Sequence, residues 1–75
     1  MPLELFGTAS CPYTSELREQ LQWDRREFVE YDVERDPEAR MRMMELTRGA
    51  RSVPVLVEDG RVVQTGSQGR SCFVA

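Results

Sequence analysis

The fold class this sequence predicts is an α/β domain with element order β-α-β-α-β-β and a four-stranded mixed sheet. Three observations predict it. Apolar runs of strand length alternate with two segments of helical period. Each helical segment opens with a proline, Pro12 or Pro37, where the missing N–H costs nothing. The last two apolar runs flank an Asp-Gly pair, a hairpin signal. Strands joined through a helix are expected to be parallel with a right-handed crossover, and a hairpin is antiparallel, so the sheet is mixed.

Each element has a local reason. Leu3-Glu4-Leu5-Phe6 reads as the first strand, closed by Gly7. The first helix is expected from Pro12 to about Gln22, with Tyr13, Leu17 and Leu21 at four-residue spacing. Trp23 is expected to cap the core edge ahead of the polar connection Asp24-Arg25-Arg26. Phe28 to Val33 alternates apolar and polar after its first two residues and reads as the second strand. Asp36 is a helix N-cap before Pro37, and the second helix should run to about Arg48. Its apolar stripe is Ala39, Met43 and Leu46, and Gly49 supplies a residue that tolerates a left-handed cap. The methionines Met41, Met43 and Met44 read as gap-filling core rather than metal ligands. Val55-Leu56-Val57 is the third strand, Glu58-Asp59-Gly60-Arg61 the turn, and Val62-Val63 opens the fourth. Residues 66–75 have no clear period and are expected to form a flexible tail of the single domain 1–75.

Bulk properties narrow the function. A chain of 75 residues buries only about 60% of its unfolded surface, so the core is small. Net charge is −3 and all ten basic residues are Arg with no basic run, which makes nucleic acid a poor partner. No stretch is long and apolar enough to span a membrane, and Met1 to Phe6 lacks the features of a signal peptide. A cytoplasmic location is the expectation. Two cysteines are too few for a secreted disulfide scaffold. Histidine is absent, which removes Cys-His and Ser-His nucleophile pairs and most catalytic zinc sites, so no metal is expected.

Chemistry concentrates at Ser10-Cys11-Pro12-Tyr13-Thr14. A cysteine at a strand-to-helix junction meets the unpaired N–H groups and partial positive charge of the helix start. That setting lowers a thiol pKa below its ordinary value of about 8.5. Cys11 is the candidate nucleophile. Thr14, three residues on, has a hydroxyl that can point at the sulfur and stabilise a thiolate. The Cys-Pro-Tyr stretch, the segment Asp32 to Ala39, and Ser52-Val53-Pro54 stand in the order and spacing of the glutaredoxins, which the chain resembles over residues 3–66. It is also similar to a subgroup of small glutaredoxin-like proteins, some of which carry selenocysteine in place of Cys11.

The resemblance implies a thioredoxin-like fold and a thiol–disulfide oxidoreductase with glutathione as co-substrate. It implies that Val53-Pro54 is a cis peptide bond presenting Val53 to a peptide-like substrate. It further implies that Pro12 and Tyr13 wall the substrate groove, that Arg48 or Arg51 beside Ser52 meets a glutathione carboxylate, and that backbone N–H groups at Gly66 and Ser67 receive an anionic end. The family's fourth motif cysteine is Thr14 here, its lysine three residues before the cysteine is Thr8, its acidic pair after the fourth strand has no clean match, and its final helix is missing. A one-cysteine route is therefore expected, in a monomer that reduces glutathione mixed disulfides or protein disulfides. Cys72, six residues beyond Gly66, is within reach of Cys11 through about 20 Å of extended chain. It is either a resolving thiol or an exposed tail thiol without a role. Two other classes stand beside the enzyme: a dimeric iron–sulfur carrier using Cys11 and glutathione, and an inert interaction domain.

Overall fold

The computed structural model describes residues 3–74. In chain order it contains β1 (Leu3–Gly7), α1 (Pro12–Trp23), β2 (Phe28–Asp32), α2 (Pro37–Leu46), β3 (Ser52–Val53), β4 (Val55–Glu58), β5 (Arg61–Thr65) and β6 (Cys72–Phe73). The main sheet has strand order β2-β1-β4-β5, and β3 pairs with β6 in a separate two-stranded ribbon. β1 and β2 are parallel, with Leu3 opposite Phe28 and Gly7 opposite Asp32. β4 runs antiparallel to both β1 and β5. The four-stranded mixed sheet with two helices is the thioredoxin-like arrangement.

Alternation along β1 assigns the helices to opposite faces. Leu3 and Leu5 point to one side, where they form a buried cluster with Leu17 and Leu21 of α1 and Leu56 of β4. Phe6 points to the other side and joins Val33, Ala39 and Met43 of α2, together with Val53, Val55 and Val57. Glu4 lies on that second side as well. It accepts hydrogen bonds from Arg42 of α2 and from the Tyr31 hydroxyl at 3.3 Å. Phe6 stacks on Tyr31 with ring centroids 5.0 Å apart. β5 contributes little to either core, since only Val62 is partly buried and Val63 is exposed.

The helix boundaries follow from capping chemistry. Asp36 caps α2 by accepting the Ala39 N–H at 3.1 Å. α1 ends with the Arg26 N–H bonded to the Leu21 carbonyl and the Arg25 N–H to the Gln22 carbonyl. α2 ends in the same pattern, from Gly49 to Met44 and from Arg48 to Glu45. These are Schellman closures, and the left-handed residue in each is an arginine, Arg25 at φ 57° and Arg48 at φ 59°. α2 therefore stops at Leu46 rather than Arg48, with the left-handed turn taken by Arg48 itself before Gly49. Trp23 does not cap the core edge: it is 86% exposed on the last turn of α1, because the apolar spacing that buries Leu17 and Leu21 has turned past it. Of the three methionines, Met43 is core, Met44 half-buried and Met41 exposed.

The segment after β5 is not a flexible tail through residue 74. Ser67, Gln68, Gly69 and Arg70 form a tight turn with Gln68 and Gly69 both at positive φ, the type I′ signature. The turn reverses the chain so that β6 lies against β3, and Val74 is buried. A Cβ on Gly66 would stand 2.5 Å from the Arg70 carbonyl oxygen, so the return needs glycine there. The sequence lacks a helical period here, and a two-residue strand leaves no period to read.

Candidate active site at Cys11

Cys11 is the N-cap residue of α1, in extended conformation, with Pro12 at the first helical position. Its carbonyl accepts the Ser15 N–H at 3.3 Å, the first bond of the helix. The amides of Tyr13 and Thr14 therefore lie in the first turn, where N–H groups have no partner within the helix. The side chain of Cys11 is buried at the end of the Phe6–Val33–Val55 cluster.

Its sulfur is bonded to Cys72, with the two Cα atoms 6.1 Å apart and 61 positions separating them in sequence. The partner arrives on β6, whose register with β3 sets Cys72 opposite Val53 and Phe73 opposite Ser52. The Val74 N–H donates to the Arg51 carbonyl at 2.7 Å. Hydrogen-bonded pairs alternate along an antiparallel ladder, so Val53 and Cys72 form the next such pair after Arg51 and Val74. The Val53–Pro54 peptide bond is cis. Residues from four chain segments thus meet: the start of α1, the Ser52–Pro54 strand, Gly66–Ser67, and the last strand.

Thr14 differs from the sequence expectation. It is fully buried, and its Oγ1 accepts the Thr8 N–H at 3.5 Å, a contact the sequence did not indicate. The close approach of β1 explains this. A Cβ on Gly7 would fall 2.2 Å from Thr14 Cγ2, so the helix is pressed against the strand end and Thr14 is clamped to the Gly7–Thr8 segment. In this structure Thr14 holds the loop that carries Cys11.

The expected anion site at Gly66 and Ser67 is internally satisfied. The Gly66 N–H donates to the Pro54 carbonyl at 2.7 Å and the Ser67 N–H to the Arg70 carbonyl at 2.8 Å. The Ser67 hydroxyl donates to Glu16 Oε1 at 2.8 Å, which ties the β5–β6 turn to α1. Thr8, in the position of the family's lysine, is buried. Arg48 and Arg51 have exposed side chains on the loop before β3, and Arg48 is committed by its backbone to the α2 cap. Pro12 is exposed, and Tyr13 is half-buried against the cluster that holds Cys11. The sequence reading placed no weight on Glu16 or Val74. The Glu16–Ser67 contact spans 51 positions and has no local signal, and Val74 gains its role only from the β3–β6 register.

A sequence-family model described as glutaredoxin matches residues 3–63. Among solved structures, the chain is similar to the thioredoxin-like protein BC3987, at 32% identity and TM-score 0.76, with 88% of each chain covered. A mutant of that protein matches equally well, with 88% of this chain and 86% of the other covered. Actin interacting protein 5 is similar at 27% identity and TM-score 0.68, over 87% of this chain and 78% of that one. No curated protein sequence matches.

Proposed function

The chain belongs to the glutaredoxin family, and we propose that it is a thiol–disulfide oxidoreductase that cycles between a Cys11/Cys72 dithiol and the Cys11–Cys72 disulfide. The family generally uses glutathione, and thiol–disulfide exchange is its characteristic chemistry. The observation that carries the finer reading is the 6.1 Å Cα separation of two cysteines 61 positions apart, inside the range a disulfide requires.

Cys11 is the attacking thiol because it starts a helix, where N–H groups and the dipole stabilise a thiolate. It attacks a substrate disulfide, forms a mixed disulfide, and expels one substrate thiolate, which takes up a proton. Cys72 then attacks the Cys11 sulfur and releases the second substrate thiol. Two electrons pass from the protein dithiol to the substrate disulfide. A dithiol or two glutathione thiols restore the reduced protein. This assigns Cys72 the resolving role that Thr14 is chemically unable to fill. The strand edge at Val53 receives the substrate next to Cys11. The reaction belongs to a reducing compartment, for which we propose the cytoplasm.

Reduction of a small-molecule disulfide coupled to glutathione oxidation tests the roles. Cys11→Ser should abolish turnover. Cys72→Ser should retain attack by Cys11 and accumulate the mixed disulfide when reduced glutathione is withheld. Full turnover by Cys11→Ser contradicts the assignment.

A further inference from the structure

β6 does more than deliver a thiol. It lies antiparallel on the Ser52–Val53 edge, directly beside Cys11. Cys72 is held there as a substrate cysteine would be held in a mixed disulfide: paired through its backbone with Val53 and bonded through its sulfur to Cys11. The side chains that follow it alternate as in any strand. Phe73 points into solvent and is 86% exposed, whereas Val74 turns inward and is 6% exposed, in the cluster that contains Cys11 and Val53.

The hold on this segment is divided. Residues 66–70 are fixed by the Gly66–Pro54 bond, the Ser67–Arg70 pair and the Ser67–Glu16 contact. Residues 71–74 are fixed by a two-residue ribbon, the Val74–Arg51 bond, the buried Val74 side chain and the disulfide. A ribbon of two short strands is marginal without further support. With the disulfide reduced, Val74 is the main remaining anchor.

We propose that residues 72–74 are a resident substrate mimic, and that the cleft they fill selects extended peptide disulfides with an aliphatic residue two positions after the cysteine. The proposal rests on the reading of Cys11 as the nucleophile. An incoming Cys-x-aliphatic segment takes the Val53 edge with its backbone and the Val74 site with its side chain. Glutathione ends one residue after its cysteine and brings nothing to that site. Substrate and tail cannot occupy the edge together, so residues 71–74 swing out beyond the Ser67–Arg70 pair when substrate enters. It returns when the Cys72 thiolate attacks the Cys11 sulfur and the substrate cysteine leaves as a thiolate. The returning strand then displaces the substrate backbone, which couples product release to the resolving step.

The test uses the full chain carrying Cys72→Ser, which keeps the tail but leaves one thiol. Two synthetic peptides, Ser-Cys-Phe-Val and Ser-Cys-Phe-Gly, are activated as thionitrobenzoate mixed disulfides, and attack by Cys11 is read as release of the coloured thiol. The valine peptide should react about tenfold faster, the ratio set by burial of one aliphatic side chain. Adding Val74→Gly, and separately Val74→Asp, should raise the rate for the valine peptide by removing its competitor. Equal rates for the two peptides on the Val74 protein would overturn the proposal while leaving Cys11 established as the nucleophile. No thiol release from either peptide would reject the nucleophile assignment, and the proposal with it.

Discussion

Gly7 and Thr14 set how closely the first strand approaches the first helix, and hence where Cys11 sits. The Cβ position of Gly7 lies 2.2 Å from Thr14 Cγ2, well inside the contact distance of two carbon atoms. Thr14 is fully buried and is not free to move aside. Gly7→Ala is therefore an overpacking substitution that should cost about 1–3 kcal/mol, read from denaturant unfolding. Gly7→Ala combined with Thr14→Ser should recover part of the loss, because the methyl that clashes is gone. An unchanged midpoint for Gly7→Ala would mean that the strand and helix are not in contact as described. The place of Cys11 at the start of the first helix was legible from its position between a strand and Pro12. The direction of the Thr14 hydroxyl was not, because the closeness of Gly7 is a tertiary fact that no local spacing encodes.

Helix α2 is fixed to β1 by a charged contact as well as by packing. Arg42 donates to both carboxylate oxygens of Glu4, one of them at 2.7 Å. Hydrogen bonding from Arg42 holds the Glu4 carboxyl below its ordinary pKa, against the opposing effect of partial burial and with help from the Arg42 charge and the Tyr31 hydroxyl. A carboxyl with a lowered folded-state pKa favours folding fully above its unfolded value of about 4.3, and that contribution is lost as pH falls through the folded value. Wild type should thus exceed Arg42→Gln in stability at neutral pH, and the gap should close as pH drops below about 4. A gap that is the same at pH 7 and pH 3 would contradict the account. At this scale most of the sequence reading survives. A short apolar run gave β1, alternation gave β2, the Asp36-Pro37 pair gave the start of α2, and Asp59-Gly60 gave the β4–β5 hairpin. β3 and β6 were illegible, since a two-residue strand is defined by its partner and not by its own pattern.

For the molecule as a whole, the Cys11–Cys72 bond joins the first helix to the last strand and closes most of the chain into a loop. Closing a loop of that length restricts the unfolded chain and is worth about 2–4 kcal/mol. Unfolding of the oxidised protein should shift to a lower denaturant midpoint by that margin when a reductant is added, and Cys72→Ser should show no such shift. The pairing itself was only partly legible. The reach of the segment beyond Gly66 was countable, but its direction depends on the Gln68-Gly69 turn and the free edge of β3. The central claim is that Cys72 resolves the Cys11 adduct within one chain. The most direct measurement is the intact mass of the reduced protein after brief exposure to oxidised glutathione, with non-reducing size analysis. The account predicts a monomer lighter by two hydrogens, and for Cys72→Ser a monomer heavier by one glutathione. A stable glutathione adduct on both proteins, or a disulfide-linked dimer of the wild type, would contradict it.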